Sequence, residues 1–209
     1  MLNKKMTVDS SANNKVNRGV ISEHDDAQTD ETLLFAYAGG EMPAFELLYS
    51  RHKKALFNHL RRQCSNASIA EELAHDVWLA VIKQASSFEP KALFKTWLYR
   101  IAHNRLVDYW RKSGHSKQVL LDDLIEKTDL LSVDLGFVSS KDRSVELIEI
   151  EQLLSALSSL SAEQTSAVLL KVEGFTHAEI AQITHSKKET VKSRLRYATK
   201  HLRLSMEAS

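Results

Sequence analysis

One cysteine, two prolines and six glycines among 209 residues leave the chain little with which to cross-link or interrupt itself. A lone Cys64 can close no internal disulfide and build no cysteine-based zinc site, which fits a reducing cytosol. Few helix breakers, apolar residues at helical spacing and almost no alternating β-branched runs together predict an all-α fold. No apolar run reaches the roughly 18 residues that a bilayer-spanning helix needs, and the polar N-terminus has no signal-peptide core. No membrane insertion is therefore expected, and the expected location is cytoplasmic. A global excess of one charge is also missing: 28 Lys and Arg oppose 27 Asp and Glu, for a formal net charge of +1. The nine histidines are scattered, and the nearest helical pair, His52 and His59, has no HExxH-type partner. No metal and no cofactor is assigned.

Residues 1–29 are rich in Ser, Asn, Asp and Lys and too poor in large apolar groups to fix a fold, so they read as a disordered tail. A helical block over 30–112 holds all three tryptophans. Between 113 and 144 the pattern dissolves into serines, Gly114, Gly136 and a run of acids, a stretch long enough to argue for a flexible linker between two small helical domains. The second domain is expected over 145–209.

Local charge is segregated in that second domain. From Ser186 to Leu204 seven bases face Glu189 alone, a net of +6 that favours a polyanion partner. Three hydroxyl-to-carboxylate or amide spacings, Ser161 to Gln164, Thr176 to Glu179 and Ser186 to Glu189, each read as a capping box that starts a helix. Gly174 reads as a left-handed stop between the first two helices, and Thr184-His185-Ser186 as the joint of a helix-turn-helix. Leu169, Leu170, Phe175, Ile180, Ile183, Val191 and Leu195 would fill a three-helix core. Val191, Leu195, Ala198 and Leu202 form the inner stripe of the last helix, with Ser193, Arg196 and Lys200 projecting opposite, free to enter a major groove.

The first domain carries three patches. A basic stretch holds Arg51, Lys53, Lys54, Arg61 and Arg62. In 70–81, Leu73, Val77 and Val81 make one stripe while Glu72, Asp76 and Trp78 lie outside it, a surface for a basic or helical partner. In 94–112 aromatics alternate with bases, a composition suited to single-stranded DNA because unpaired bases stack on rings while cations follow phosphates. Core packing is the expectation for Trp97 and Leu98, and exposure for the Arg100, Asn104 and Arg105 face.

In this order the patches resemble a bacterial sigma-70 family factor of the extracytoplasmic-function type. Glu72-Leu73-Ala74-His75-Asp76-Val77-Trp78 is similar to the segment that docks on the clamp helices of the polymerase β′ subunit. Phe94 to Asn104 is similar to the promoter-melting segment, and Glu189-Thr190-Val191-Lys192-Ser193-Arg194-Leu195 to the −35 recognition helix. The resemblance implies an alternative sigma factor without catalytic residues that binds core RNA polymerase at the β′ clamp helices and β flap, together with promoter DNA and an anti-sigma factor. It assigns docking to Glu72, Asp76, Val77 and Trp78. For −10 DNA it assigns Phe88, Lys95, Trp97, Arg100, Asn104 and Arg105, with Phe88 and Asn104 sharing a flipped base. For −35 DNA it assigns Lys192, Ser193 and Arg196 to base edges, Lys188, Thr190 and Arg194 to the backbone, and Lys200 to the same surface. His185 stands where relatives usually have Gly, and a positive φ there would be tolerated with some strain. Two other readings stay open: a stand-alone helix-turn-helix regulator, for which the melting segment would be superfluous, and a recombinase or transposase. The latter needs a nucleophile or a metal-holding carboxylate cluster, and Glu71, Glu72 and Asp76 converge poorly on one cation.

Overall fold

A computed structural model describes residues 28–64, 66–89, 92–113, 155–157 and 159–207; the expected tail up to 27, the expected linker from 114 and the expected start of the second domain lie outside these residues. Among them all regular structure is helical, as the spacing of apolar residues predicts. Helix α1 spans Asp30–Ala38, α2 Met42–Arg61, α3 Ala67–Gln84 and α4 Phe94–Ser113, with a single 3-10 turn at Ala85–Ser87. After the linker come α5 (Ala162–Val172), α6 (His177–Ile183) and α7 (Lys188–Glu207).

The first three starts are set locally. The Thr29 hydroxyl accepts from the Thr32 amide, Pro43 sits in the first turn of α2, and the Asn66 side chain accepts from the Ile69 amide at 2.9 Å. Helix α4 is begun from another helix: Glu31 on α1 accepts the Phe94 amide at 2.6 Å. Nearby, Asp30 holds both Arg51 (3.0 Å) and His52 (2.6 Å), tying α1 to α2. Leu33, Leu34, Leu48, Leu56, Leu60, Val77, Val81, Leu98 and Leu106 then close the core of the first unit.

In the second unit both expected boxes at Ser161 and Thr176 form in full, each side chain bonding the amide at the third helical residue while Gln164 or Glu179 reaches back. Gly174 adopts φ 91°, and the Phe175 amide bonds to the Leu170 carbonyl while the Gly174 amide bonds to Lys171, a Schellman ending. A Cβ at Gly174 would meet no neighbouring atom, so its cost is conformational alone. Gly174→Ala should lower the unfolding free energy by about 1 kcal/mol, read as an earlier urea midpoint at unchanged slope.

The third box does not form. Helix α7 begins at Lys188, the Ser186 hydroxyl pairs with Thr184 Oγ1 at 2.8 Å, and Glu189 bonds Lys192 at 2.9 Å. Those nearer partners replace the reciprocal cap. His185 has φ 49°, the only non-glycine positive φ among the described residues, and takes the left-handed place usually filled by Gly.

The two units lie against each other. Helix α4 packs on α6, and one continuous core runs from Leu98 and Ala102 to Ala167, Leu170, Phe175 and Ile180.

Candidate nucleic-acid interface

Helix α7 separates its faces as its pattern demands. Val191 and Ala198 are fully buried and Leu195 and Leu202 half-buried, while Lys188, Thr190, Lys192, Ser193, Arg196 and Lys200 are exposed. The Arg196 guanidinium lies 5.2 Å from the Tyr197 ring, which steadies a long side chain at the solvent surface. Arg194 is half-buried and faces back toward α4, where its charge reaches His103. Hydrogen bonding to Lys192 keeps the Glu189 carboxyl below its ordinary range. The exposed face is a cationic, hydrogen-bonding ridge of the size and chemistry that a major groove admits.

Helix α4 divides differently from expectation. Arg100, Asn104 and Arg105 are exposed on one side, as predicted, and Trp97 is core. Phe88, however, is 7% exposed, clamped between Trp97 at 5.1 Å and Phe35 at 5.8 Å. Asn104 stands two turns, roughly 10 Å, beyond Trp97 along the helix. Phe88 is thus packed inside the cluster while Asn104 is exposed farther along α4, and the ring at the surface of this cluster is Phe35, 47% exposed. The neighbouring Leu93 is also open to solvent. Phe35 lies 53 positions before Phe88, so no local spacing pointed to it.

On α3, Glu72 is exposed and Asp76 partly so, but Val77 and Trp78 are buried. The Trp78 indole is enclosed by Phe45 (5.9 Å) and Tyr49 (4.9 Å), both edge-on. The apolar part of the outward stripe is instead Leu79 and Ile82, both exposed. They fall seven and ten residues after Glu72, on its side of the helix, a spacing that could have identified them.

Lys95, expected on the DNA face, is engaged within the protein. Its ammonium donates to the Glu173 carbonyl at 3.0 Å and lies 4.8 Å from the Phe175 ring centroid. Around it, Tyr99 meets Phe175 edge-on at 4.9 Å, Arg62 pairs with Glu173 at 3.0 Å, and the Thr96 hydroxyl approaches Glu179 at 3.4 Å. Below this lies a buried polar relay. Ser166 donates to Gln63 Oε1 at 2.7 Å, and Gln63 Nε2 donates to His59 Nε2 at 3.0 Å and to the His59 carbonyl at 3.2 Å. An amide nitrogen can only donate, so His59 Nε2 carries a lone pair and the ring is neutral. Burial, reinforced by Arg62 and His103, pushes the His59 pKa down to about 3. Burial likewise takes His103 to about 4, with His185 and Arg194 adding repulsion. Desolvation drives the Cys64 thiol up to about 12, which makes it an inert core residue.

No helix among the described residues is long and apolar enough to cross a membrane, and no group of three or more His, Cys, Asp or Glu among them could hold a metal ion. Residues 48–116 match the Sigma-70 region 2 family and residues 150–202 the Sigma-70, region 4 family. RNA polymerase sigma factor CarQ of Myxococcus xanthus is 30% identical over 148 residues, covering 70% of this chain and 80% of CarQ. ECF RNA polymerase sigma factor SigK of Mycobacterium sp. (strain KMS) is 29% identical, covering 79% and 84%. Among solved structures, CnrH in complex with the cytosolic domain of CnrY superposes with a TM-score of 0.62 at 21% identity, covering 87% of this chain and 99% of CnrH. RpoE of Bartonella quintana, solved with the anti-sigma factor NepR, gives 0.57 at 24%, covering 78% and 96%. With matches to both regions and these relatives along its length, the chain belongs to the extracytoplasmic-function group of the sigma-70 family, the factors that bind core RNA polymerase and direct it to promoters.

Proposed function

We propose that α7 reads the −35 element and α4 holds the opened −10 strand, while α3 docks on the β′ clamp helices of the polymerase. The observation that carries this reading is the division of α7 into a buried apolar stripe and an exposed cationic ridge, set behind a complete Thr176 cap and the left-handed turn at His185. Lys192, Ser193 and Arg196 are the base-edge readers, with Lys188, Thr190 and Lys200 positioned for phosphates. On α4, Arg100, Asn104 and Arg105 follow the single strand, and Phe35 offers a ring to an unstacked base. The docking stripe is Glu72, Asp76, Leu79 and Ile82. The chain does no chemistry of its own: it lends selectivity to an enzyme that works in the cytoplasm. The solved relatives were seen bound to the cytosolic domain of CnrY and to the anti-sigma factor NepR, and we extend to this chain an anti-sigma partner of its own.

Run-off transcription with purified core polymerase on a library of promoter fragments tests the reading. The chain should confer discrete start sites. Glu72→Lys with Asp76→Lys should weaken association with core by tenfold or more, about 1.4 kcal/mol, without altering helicity. Undiminished co-purification of that variant would remove α3 from the docking role.

A further inference from the structure

We propose that Glu31, which lies outside the region 2 match, is a positioning residue for the −10 strand. Its carboxylate fixes where α4 begins, and so holds the strand-following face in register with the ring that receives a base. This deepens the assignment of α4 to the opened strand and rests on it. Helix α4 has no local cap. The Leu93 carbonyl accepts from the Trp97 amide at 3.1 Å, so Leu93 takes the capping position, where its apolar side chain satisfies none of the free amides of the first turn. The acceptor comes from 63 residues away: Glu31 takes the Phe94 amide at 2.6 Å. Phe94 is fully buried, and its ring lies 5.3 Å from His52 and 6.0 Å from Trp97. His52 is held in turn by Asp30 at 2.6 Å. Two consecutive acids of α1 therefore grip the first residue of α4, one through its backbone amide and one through the imidazole packed on its side chain.

The same short helix carries the exposed ring. Phe35 follows Glu31 by one turn and so lies on the same side of α1. Its ring meets Phe88 at 5.8 Å, and Phe88 meets Trp97, in the first turn of α4, at 5.1 Å. Helix α1 thus sets both the ring platform and the start of the helix that presents Arg100, Asn104 and Arg105. The distance between a base and its own phosphate is fixed by the nucleotide. Fraying at Phe94 would displace Trp97 and the platform on it relative to the cations one turn and more beyond. Phosphate contacts tolerate such a shift, whereas recognition of a particular base does not, so the loss falls on discrimination.

The test uses the full chain assembled with core polymerase. Its probe is the labelled non-template −10 strand, about 12 nucleotides long, of the fragment most active in run-off, set against the same strand scrambled. Glu31→Ala should cut the ratio of matched to scrambled affinity about tenfold while binding to the −35 duplex stays unchanged. The ratio is the readout because loss of a negative charge strengthens all binding to a polyanion alike. Glu31→Gln removes that charge but keeps an acceptor at the same reach, and should hold the ratio within about twofold of the unmodified chain. Thr29→Ala controls for stability alone: it removes the α1 cap, leaves Glu31 in place, and should lower the urea midpoint without moving the ratio. An unchanged ratio in Glu31→Ala, or an equal loss in Glu31→Gln or Thr29→Ala, would overturn the positioning role. Failure of the unmodified chain to direct run-off by core polymerase would instead remove the functional reading beneath it.

Discussion

Acidification from pH 7 to pH 5 should remove about 2 kcal/mol of unfolding free energy through His59 alone, with His103 acting in the same direction. His59 is 2% exposed, and its folded pKa of about 3 lies far below the ordinary 6.5. Between those values the unfolded chain binds a proton that the folded chain refuses. Stability is therefore complete above pH 6.5 and declines as the pH falls toward 3. The position of this window at its upper end depends on the unfolded ring, so the loss by pH 5 follows for any folded pKa well under 5.

The route of failure is also defined. A proton on His59 Nε2 would face the amide of Gln63, donor against donor, and relieving that conflict by turning the amide sets Gln63 Oε1 against the His59 carbonyl, acceptor against acceptor, while reversing the bond from Ser166. Urea unfolding at pH 7, 6 and 5 measures the effect, and His59→Leu should flatten the pH dependence by about the His59 share. A profile equally steep in that variant would place the titrating group elsewhere.

The second large effect concerns the ridge of α7. Arg196→Ala should lose about 1–3 kcal/mol of discrimination at one base pair of the −35 element, about five- to 150-fold, with no loss of fold because the side chain is exposed. Lys188→Ala should behave differently. It should weaken binding to matched and scrambled duplexes alike and reduce the slope of log K against log salt by about 0.9, the signature of one phosphate contact. Competition binding on a −35 duplex at several salt concentrations separates the two. If Arg196→Ala weakens every duplex equally, Arg196 is a backbone contact and another side chain reads that position.

What was legible in the sequence follows from how far the responsible partner lies along the chain. Thr176 with Glu179 and Ser161 with Gln164 need only a neighbour three residues away, and both boxes form as read. Gly174 and the stripe of Val191, Leu195, Ala198 and Leu202 are local in the same sense. Ser186 shows the limit of such reading: its spacing to Glu189 was right, but Thr184 and Lys192 compete for the same two side chains. Trp78 was placed outside the α3 stripe because periodicity cannot see Phe45 and Tyr49 closing over it, and the resemblance that gave Phe88 a flipped base carries no sign of Phe35 and Trp97 packing on its ring. The contact between the two units was wholly hidden, since Gln63 and Ser166 stand 103 residues apart and are ordinary polar residues in their own helices.

The carboxylate of Glu31 on the first amide of α4 sets a practical boundary for anyone dissecting this protein. The region 2 match begins at residue 48, inside α2, and a fragment trimmed to that limit would discard α1 altogether. It would lose the carboxylate that begins α4, the Asp30 anchor for Arg51 and His52, and the Phe35 ring. A minimal fragment of the first unit must therefore start upstream of Thr29, well before the region 2 match alone would place the cut.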